Sequence, residues 1–336
     1  MKQIFSLAML LLVCAACVTQ KENIPAWLAA PQKEYPQGEY LVSLGEGDTR
    51  RAAENSAAAG LSRIFQSQIN SSESLSETTT ESRGTESTFG QVSELRSDVR
   101  IGSDQTLLNV QFGESFTDPH GRVHVAAFIP RAETAEIYRN KISEISRRIT
   151  FLVQRSDAAP DPIKRYAFRR AASRKAHEND LLLEQLRIIH PQACAAVALN
   201  YDPQTLYTAT AGDGRNITFT VKMENSIVRN ALVKMLAAMG FSENAADPML
   251  EFSGTTSFER MDMKREGLIF VRWNVNIEMQ AHFDNPSLSL KKTSREGHIS
   301  FEEARARAER AAAAEIDTRL RQELEQYFDR LAAAEK

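Results

Sequence analysis

Two periodic patterns of apolar and polar residues occur in turn along this chain. Alternation between the two types predicts strands at residues 40–45, 106–112, 123–129, 217–221, 249–253, 269–279 and 287–290. Apolar residues three and four positions apart predict helices over residues 50–69, 131–190, 226–239 and 300–332. The helical pattern breaks at residues 159–162, which predicts a hairpin of two long helices. Residues 70–105 are rich in Ser, Thr and Glu, and we expect a loop over part of them.

Residues typical of turns and helix caps stand between these patterns. Asp48 or Thr49 is expected to cap the first helix, and Ser226 the helix that ends at Gly240. Residues 118–121 have turn composition, so the strands on either side are expected to form a hairpin.

The order strand, helix, strands, helix occurs in both halves of the chain. It predicts the α+β class, with two small domains of antiparallel sheet packed with helices and linked by a long helical hairpin. The expected segments are a signal peptide over 1–16, a tether over 17–36, an α+β domain over 37–131, the hairpin over 132–192 and a second α+β domain over 193–336.

Length and charge narrow the class of protein. A chain of 336 residues suggests about two domains at roughly 150 residues each. The net charge of -3 provides no overall attraction for nucleic acid, so no nucleic-acid partner is expected. A single long apolar run, at the N-terminus, excludes a membrane protein with many spans.

That apolar run covers residues 4–13 and ends in Cys14-Ala15-Ala16-Cys17. Two small residues before a cysteine resemble the lipobox of bacterial lipoproteins, with Cys14 where an aliphatic residue is usual. The resemblance implies that Cys17 becomes the lipid-bearing first residue. An ordinary secretory peptide cut near Ala16 and a retained membrane anchor are the other interpretations. Val18, in place of Asp, does not match the best-known signal for inner-membrane retention.

Cysteine usage agrees with lipidation. With Cys14 removed and Cys17 acylated, Cys194 is alone and no intramolecular disulfide is expected. Its apolar surroundings favour a buried thiol over a nucleophile.

The first 150 or so residues resemble the LPP-twenty family of bacterial lipoproteins. The resemblance is carried by the lipobox, Pro25-Ala26-Trp27, the strand from Tyr40 to Gly47, the Ala-rich helix and the hairpin that ends near Arg131. It implies an envelope lipoprotein with no catalytic residues to transfer. From about residue 216 onward the element order is similar to small domains of envelope assembly lipoproteins, such as the N-terminal domain of TolB.

Motifs for catalysis are missing from the sequence. No nucleophile stands beside a base at a suitable spacing, and no phosphate-binding glycine motif occurs. His120 and His124 flank a turn and do not share a helix face, so no metal site is expected. All six histidines are expected at the surface. We therefore expect no enzyme, no catalytic residue, no metal and no cofactor.

The helical hairpin has the most unusual charge pattern. From Arg139 to Lys175 there are eleven basic residues and three acidic ones. One interpretation is a surface for anionic lipid head groups or an acidic partner, with Arg147, Arg148, Lys164, Arg165, Arg169, Arg170 and Arg174 as candidates. The other is a solvated helix face that pairs with acidic helices elsewhere.

Together these patterns predict a membrane-anchored envelope lipoprotein with a non-enzymatic scaffold or adaptor role. Its partners would be the lipid membrane, through acylated Cys17, and an envelope protein. Its expected location is the outer membrane, facing the periplasm. The alternatives are an envelope enzyme of unknown reaction and a secreted soluble binding protein.

Overall fold

The computed structural model describes residues 24–80, 107–261, 267–282 and 287–334, with the side chains of residues 70–80 left out. Two compact units make up the chain. Unit one takes its described residues from Met1–Gln68 and Leu107–Thr134. Unit two takes its described residues from Ile69–Thr106 and Ala135–Lys336.

Unit one is a three-stranded antiparallel sheet covered by a helix. Two short helices, α1 (Ala26–Ala29) and α2 (Pro31–Glu34), precede strand β1 (Tyr40–Gly47) and the long helix α3 (Arg50–Thr80). Strands β2 (Gln111–Thr117) and β3 (Val123–Pro130) form the expected hairpin, and the strand order is β1-β3-β2. The first and second strands along the chain are therefore the two edges of the sheet.

The contact between α3 and β1 depends on small residues. Helix α3 buries Ala53, Ala57, Leu61 and Phe65, which are four positions apart and so share one helix face. A Cβ atom on Gly45 would lie 2.2 Å from the backbone nitrogen of Ala57. Only a glycine at this position of β1 lets the helix backbone approach so closely.

Local details of unit one both confirm and correct the sequence predictions. Thr49 is a cap as expected, since its Oγ1 accepts a hydrogen bond from the Ala52 nitrogen at 3.2 Å. Helix α3 continues through residues 70–80, and residues 81–105 of the segment that was expected to be loop in part lie outside the described residues. The second strand begins at Gln111, later than predicted, because Asn109 takes a φ of 57° and is not extended.

Unit two begins with the predicted pair of long helices. Helix α4 (Arg131–Ala158) and helix α5 (Pro162–Ile189) are joined by a short turn, and Asp161 caps α5 by accepting from the Ile163 nitrogen at 2.8 Å. Two shorter helices follow, α6 (Pro191–Ala195) and α7 (Pro203–Asn216). Helix α4 begins within unit one and enters unit two at Ala135.

The sheet of unit two is mixed. Strand β4 (Thr218–Lys222), helix α8 (Ser226–Ala238) and strands β5 (Ser242–Glu243), β6 (Leu250–Met261), β7 (Ile269–Ala281) and β8 (Leu288–His298) lead to the C-terminal helices. The strand order is β5-β4-β6-β7-β8, and β4 is parallel to both β5 and β6. An entirely antiparallel sheet was expected. Helix α8 instead returns the chain to the end of the sheet at which β4 begins, so β6 runs parallel to β4.

The last helical segment consists of α9 (Phe301–Glu315), a π-helical turn over Ile316–Leu320, and α10 (Arg321–Ala333). The cap of α8 is Asn225 and not Ser226, because the Asn225 side chain accepts from the Val228 nitrogen at 3.0 Å. Gly240, with a φ of 87°, ends this helix as predicted.

The core of unit two lies between its sheet and its helices. Trp273 and Val275 of β7 and Phe328 of α10 belong to it, and so do Ile163 and Tyr166 of α5. Helix α5 therefore shares a core with the segment that the sequence assigns to a second α+β domain. The expected α+β class is confirmed. Within the described ranges, none of the helices combines the length and the apolar character that a bilayer-spanning segment needs.

Candidate functional site

The predicted lipidation site lies outside the described residues. These begin at Ile24, so the signal peptide over residues 1–16, Cys17 and the first part of the tether are not among them. The role of Cys17 stays a prediction from the sequence.

The candidate basic residues of α5 make contacts inside the protein. Arg165 donates from Nη2 to the carbonyl oxygen of Ala159 at 3.0 Å, which stabilises the turn between the two long helices. Arg169 lies between two carboxylates, with its Nη1 2.9 Å from Oδ2 of Asp213 and its Nη2 on Oδ1 of Asp157. These contacts tie α5 to the end of α4 and to α7.

The next two arginines of α5 meet the C-terminal helix. Arg170 is buried, and its Nη1 donates to Oδ1 of Asp329 at 2.9 Å, with Glu325 3.8 Å away on the same helix. Arg174 pairs with the other oxygen of Asp329. Since a buried guanidinium needs a counter-charge, this network holds α5 against α10.

The remaining three candidates are placed differently. Lys164 is half-buried in the first turn of α5. Arg147 and Arg148 are exposed on α4, and neither forms an ion pair within the part of the chain that the structure describes. The Arg148 guanidinium lies 4.9 Å from the ring centre of Phe151. The structure thus brings Arg169, Arg170 and Arg174 onto carboxylates and leaves the two arginines of α4 in solvent.

A buried polar cluster joins α5 and α7. The Tyr207 hydroxyl lies 2.9 Å from Nδ1 of His177 and donates to Oδ2 of Asp180 at 2.7 Å. The His177 and Tyr207 rings stack with 4.3 Å between their centres. His177 is 3% exposed, so the expectation of a surface position was wrong for this histidine. Its ring is covered because it packs flat against Tyr207.

Asn179 extends this cluster to α4. Its Nδ2 donates to the Ile142 carbonyl oxygen, to Oγ of Ser146 at 3.0 Å and to the Tyr201 hydroxyl. Burial raises the pKa of Tyr201 to about 12, so its hydroxyl stays protonated at neutral pH. The sequence carries a signal for this cluster, because Asn179 interrupts the apolar stripe of α5 formed by Ala172, Ala176, Leu182 and Leu186.

The metal-ligating side chains and the cysteine of the described residues are placed as follows. Among the described residues, no three His, Cys, Asp or Glu side chains are placed to hold a metal ion. Cys194 is half-buried, with its Sγ 3.5 Å from the Leu183 carbonyl oxygen. The buried cluster of His177, Asn179 and Tyr207 joins α4, α5 and α7.

Each of the two sheets carries one distinctive surface feature. A groove of about 620 Å³ runs beside the edge strand β1 and is lined by Tyr40, Leu41, Val42, Leu44, Ile64 and Arg131, among others. On unit two, the outer face of the sheet carries a row of hydrogen bonds from Thr293 to Asn274 and from Asn274 to Ser257.

The helices and sheets define an α+β protein. Comparison with known proteins shows which solved structures it resembles. No protein-family model matches the chain, and no curated protein matches it. It is similar to the secreted protein HP1454 of Helicobacter pylori, with 11% identity and a TM-score of 0.46 over 84% of this chain and 98% of that chain.

A second solved structure to which it is similar is a minor lipoprotein from Acinetobacter baumannii, with 9% identity and a TM-score of 0.26. That match covers 33% of this chain and 93% of the lipoprotein. These two solved structures are of a bacterial secreted protein and a bacterial lipoprotein. The resemblances to the LPP-twenty family and to TolB-like domains stay predictions.

Proposed function

We propose that this chain is a lipoprotein of the bacterial cell envelope, held on a membrane by acyl chains on Cys17. The observation that carries the proposal is Ala15-Ala16-Cys17 directly behind the apolar run of residues 4–13. Two or three acyl chains, at about 0.8 kcal/mol per buried methylene, hold a protein on a bilayer essentially permanently. Because Val18 follows the cysteine and not Asp, we place the anchor in the outer membrane, with the protein facing the periplasm.

The role that we propose for the anchored protein is that of a non-enzymatic adaptor. Its two sheets offer edges of different character. Edge strand β8 carries Lys291, Lys292 and Arg295, and such charges discourage pairing with another chain. Edge strand β1 carries a single charged residue, Glu46, and runs beside the groove of about 620 Å³. The β1 edge is therefore the better place for an envelope protein to add an extended segment.

Labelled palmitate tests the anchor. We expect the wild-type protein to take up label and to separate with outer membranes on a density gradient. The Cys17→Ala variant should take up none and leave the membrane fraction. If neither protein incorporates label, the lipobox interpretation is wrong and a secreted soluble binding protein replaces it.

A photo-crosslinking amino acid tests the adaptor edge. It is placed at Leu44, which is 38% exposed on β1, and for comparison at Lys291 on β8. We expect a defined adduct with one envelope protein from position 44 that does not form from position 291. The same adducts from both positions, or none from either, would contradict a docking role for β1.

A further inference from the structure

Helix α4 has an outer side with an unusual mixture of side chains. Its inner side buries Tyr138, Ile142, Ile145, Ile149 and Leu152 at helical spacing. One position before each of these residues, and so about 100° around the helix from the buried stripe, lie Ile137, Lys141, Glu144, Arg148 and Phe151, with Arg147 beside them. We call these six residues, Glu144 included, the outer face of α4.

This face carries three positive charges, of Lys141, Arg147 and Arg148, against the one negative charge of Glu144. Arg139 pairs with Glu136 at 3.2 Å on the same helix, but Lys141, Arg147 and Arg148 form no ion pair with any described residue. The arginines of α5 differ, because Arg169, Arg170 and Arg174 all contact carboxylates. Internal pairing therefore explains these three arginines of α5 and leaves Lys141, Arg147 and Arg148 of α4 available to an external anion.

Two large apolar side chains accompany these charges. Ile137 is 39% exposed and Phe151 is 40% exposed. Arg148 lies over the Phe151 ring, so the charged and aromatic groups form one patch. In water such a patch leaves apolar surface exposed, whereas at a bilayer surface the ring can enter the head-group region while the guanidinium groups meet phosphates.

We propose that the outer face of α4 docks on anionic lipid head groups of the membrane that carries the protein. The proposal deepens the function proposed above and rests on it, since a protein anchored at Cys17 is already at a bilayer. The lipid surface fits better than an acidic protein because the face combines cations with two exposed apolar side chains. A weak electrostatic contact suffices, because the anchor removes the cost of finding the membrane.

Vesicle binding tests the proposal without the anchor. The processed chain, residues 17–336 with Cys17→Ser, is sedimented with vesicles of phosphatidylethanolamine and phosphatidylglycerol, and in parallel with phosphatidylcholine alone. Since each basic residue contributes on the order of 1 kcal/mol near an anionic surface, Arg147→Glu with Arg148→Glu should weaken binding to the anionic vesicles at least about tenfold. Binding should also fall as salt rises past about 0.15 M, where the screening length is about 8 Å.

A charge-matched control distinguishes the effect of this face on vesicle binding from the effect of the net charge of the protein. Lys234 and Lys291 are exposed elsewhere on unit two and form no ion pair with any described residue. The Lys234→Glu/Lys291→Glu variant changes the net charge by the same amount and should bind nearly as well as the parent chain. Equal losses in both double variants, or no binding of the parent chain to anionic vesicles at low salt, would overturn the proposal.

A fluorescence measurement tests whether residue 151 enters the head-group region of the bilayer. In a Phe151→Trp variant, the new indole should shift its emission to shorter wavelength and resist iodide quenching with anionic vesicles only. An indole that stays fully accessible to iodide while the protein is vesicle-bound would also overturn the proposal. Palmitate labelling is independent of both assays, so failure of the lipid anchor and failure of the α4 face can be told apart.

Discussion

Nη1 of Arg170 lies 2.9 Å from Oδ1 of Asp329, although 159 positions separate the two residues in the sequence. The Arg170 side chain is 6% exposed, so its charge depends on Asp329 and on Glu325 nearby. This pair ties the second helix of the hairpin to the C-terminal helix. It accounts for Arg170, one of the basic residues that the sequence offered either as a surface for anions or as partners of acidic helices.

Removing the acidic partner is expected to destabilise unit two. Asp329→Ala leaves Arg170 buried with Glu325 alone, at 3.8 Å. Because Asp329 is itself partly exposed, we expect a loss of about 2 kcal/mol, less than for a fully buried pair. Urea unfolding followed by the fluorescence of buried Trp273 measures it. Glu224→Ala, at an exposed residue, is the control, and an equal loss in both variants would argue against a structural role of the pair.

The close contact of α3 with β1 gives a second prediction. Gly45→Ala forces a Cβ atom to 2.2 Å from the Ala57 backbone nitrogen, so helix and strand must separate. We expect a loss of about 3 kcal/mol or more in unit one. Gly38→Ala is the matched control, because a Cβ atom there meets no atom within 4 Å. Unfolding followed by the fluorescence of buried Trp27 reports on this unit. Similar stability of the two variants would contradict the close approach of the α3 backbone to Gly45.

Two buried tyrosines should respond to loss of the hydroxyl in opposite ways. Tyr207→Phe removes the hydrogen bonds to His177 and Asp180 and should cost about 1–3 kcal/mol. The Tyr327 hydroxyl is buried without a hydrogen-bond partner among the described residues, so Tyr327→Phe should be neutral or stabilising. Thermal unfolding of both variants makes the comparison, and a larger loss for Tyr327→Phe would refute it.

The pH dependence of stability should carry a contribution from Asp213. Burial raises the pKa of this carboxyl above its ordinary value of 3.8, and the nearby Arg169 only partly offsets the effect. The folded state therefore holds this proton more tightly than the unfolded state does. The resulting stabilisation is complete below the ordinary pKa and is lost as pH rises through the folded pKa.

Asp213→Asn removes that titration. We expect the free energy of unfolding of the wild type, minus that of the variant, to decrease as pH rises from below 4 toward neutrality. Urea titrations at a series of pH values measure this difference. A difference that stays constant or increases with pH would contradict the direction of the pKa shift.

Local patterns were sufficient for most elements. The alternation of residues 269–279 predicted β7, whose buried residues include Val271, Trp273 and Val275, because one face of a half-buried strand must be apolar. Gly240 marked the end of α8 because a left-handed φ there favours glycine. Neighbouring cap residues were harder to separate, and Asn225 rather than Ser226 accepts the hydrogen bond.

The sequence by itself determined the α+β class, the helical hairpin, the β2–β3 hairpin and the lipobox on which the proposed anchor rests. These depend on residues close together in the chain, where periodicity and short motifs carry the information. Only the tertiary structure decided that β4 is parallel to β6, that His177 is buried against Tyr207, and that Arg170 meets Asp329 while Arg147 and Arg148 stay unpaired. The physical reason is that the alternation within a strand does not specify which strand pairs with it. In the same way, the counter-ion of a charged side chain depends on which helix packs beside it.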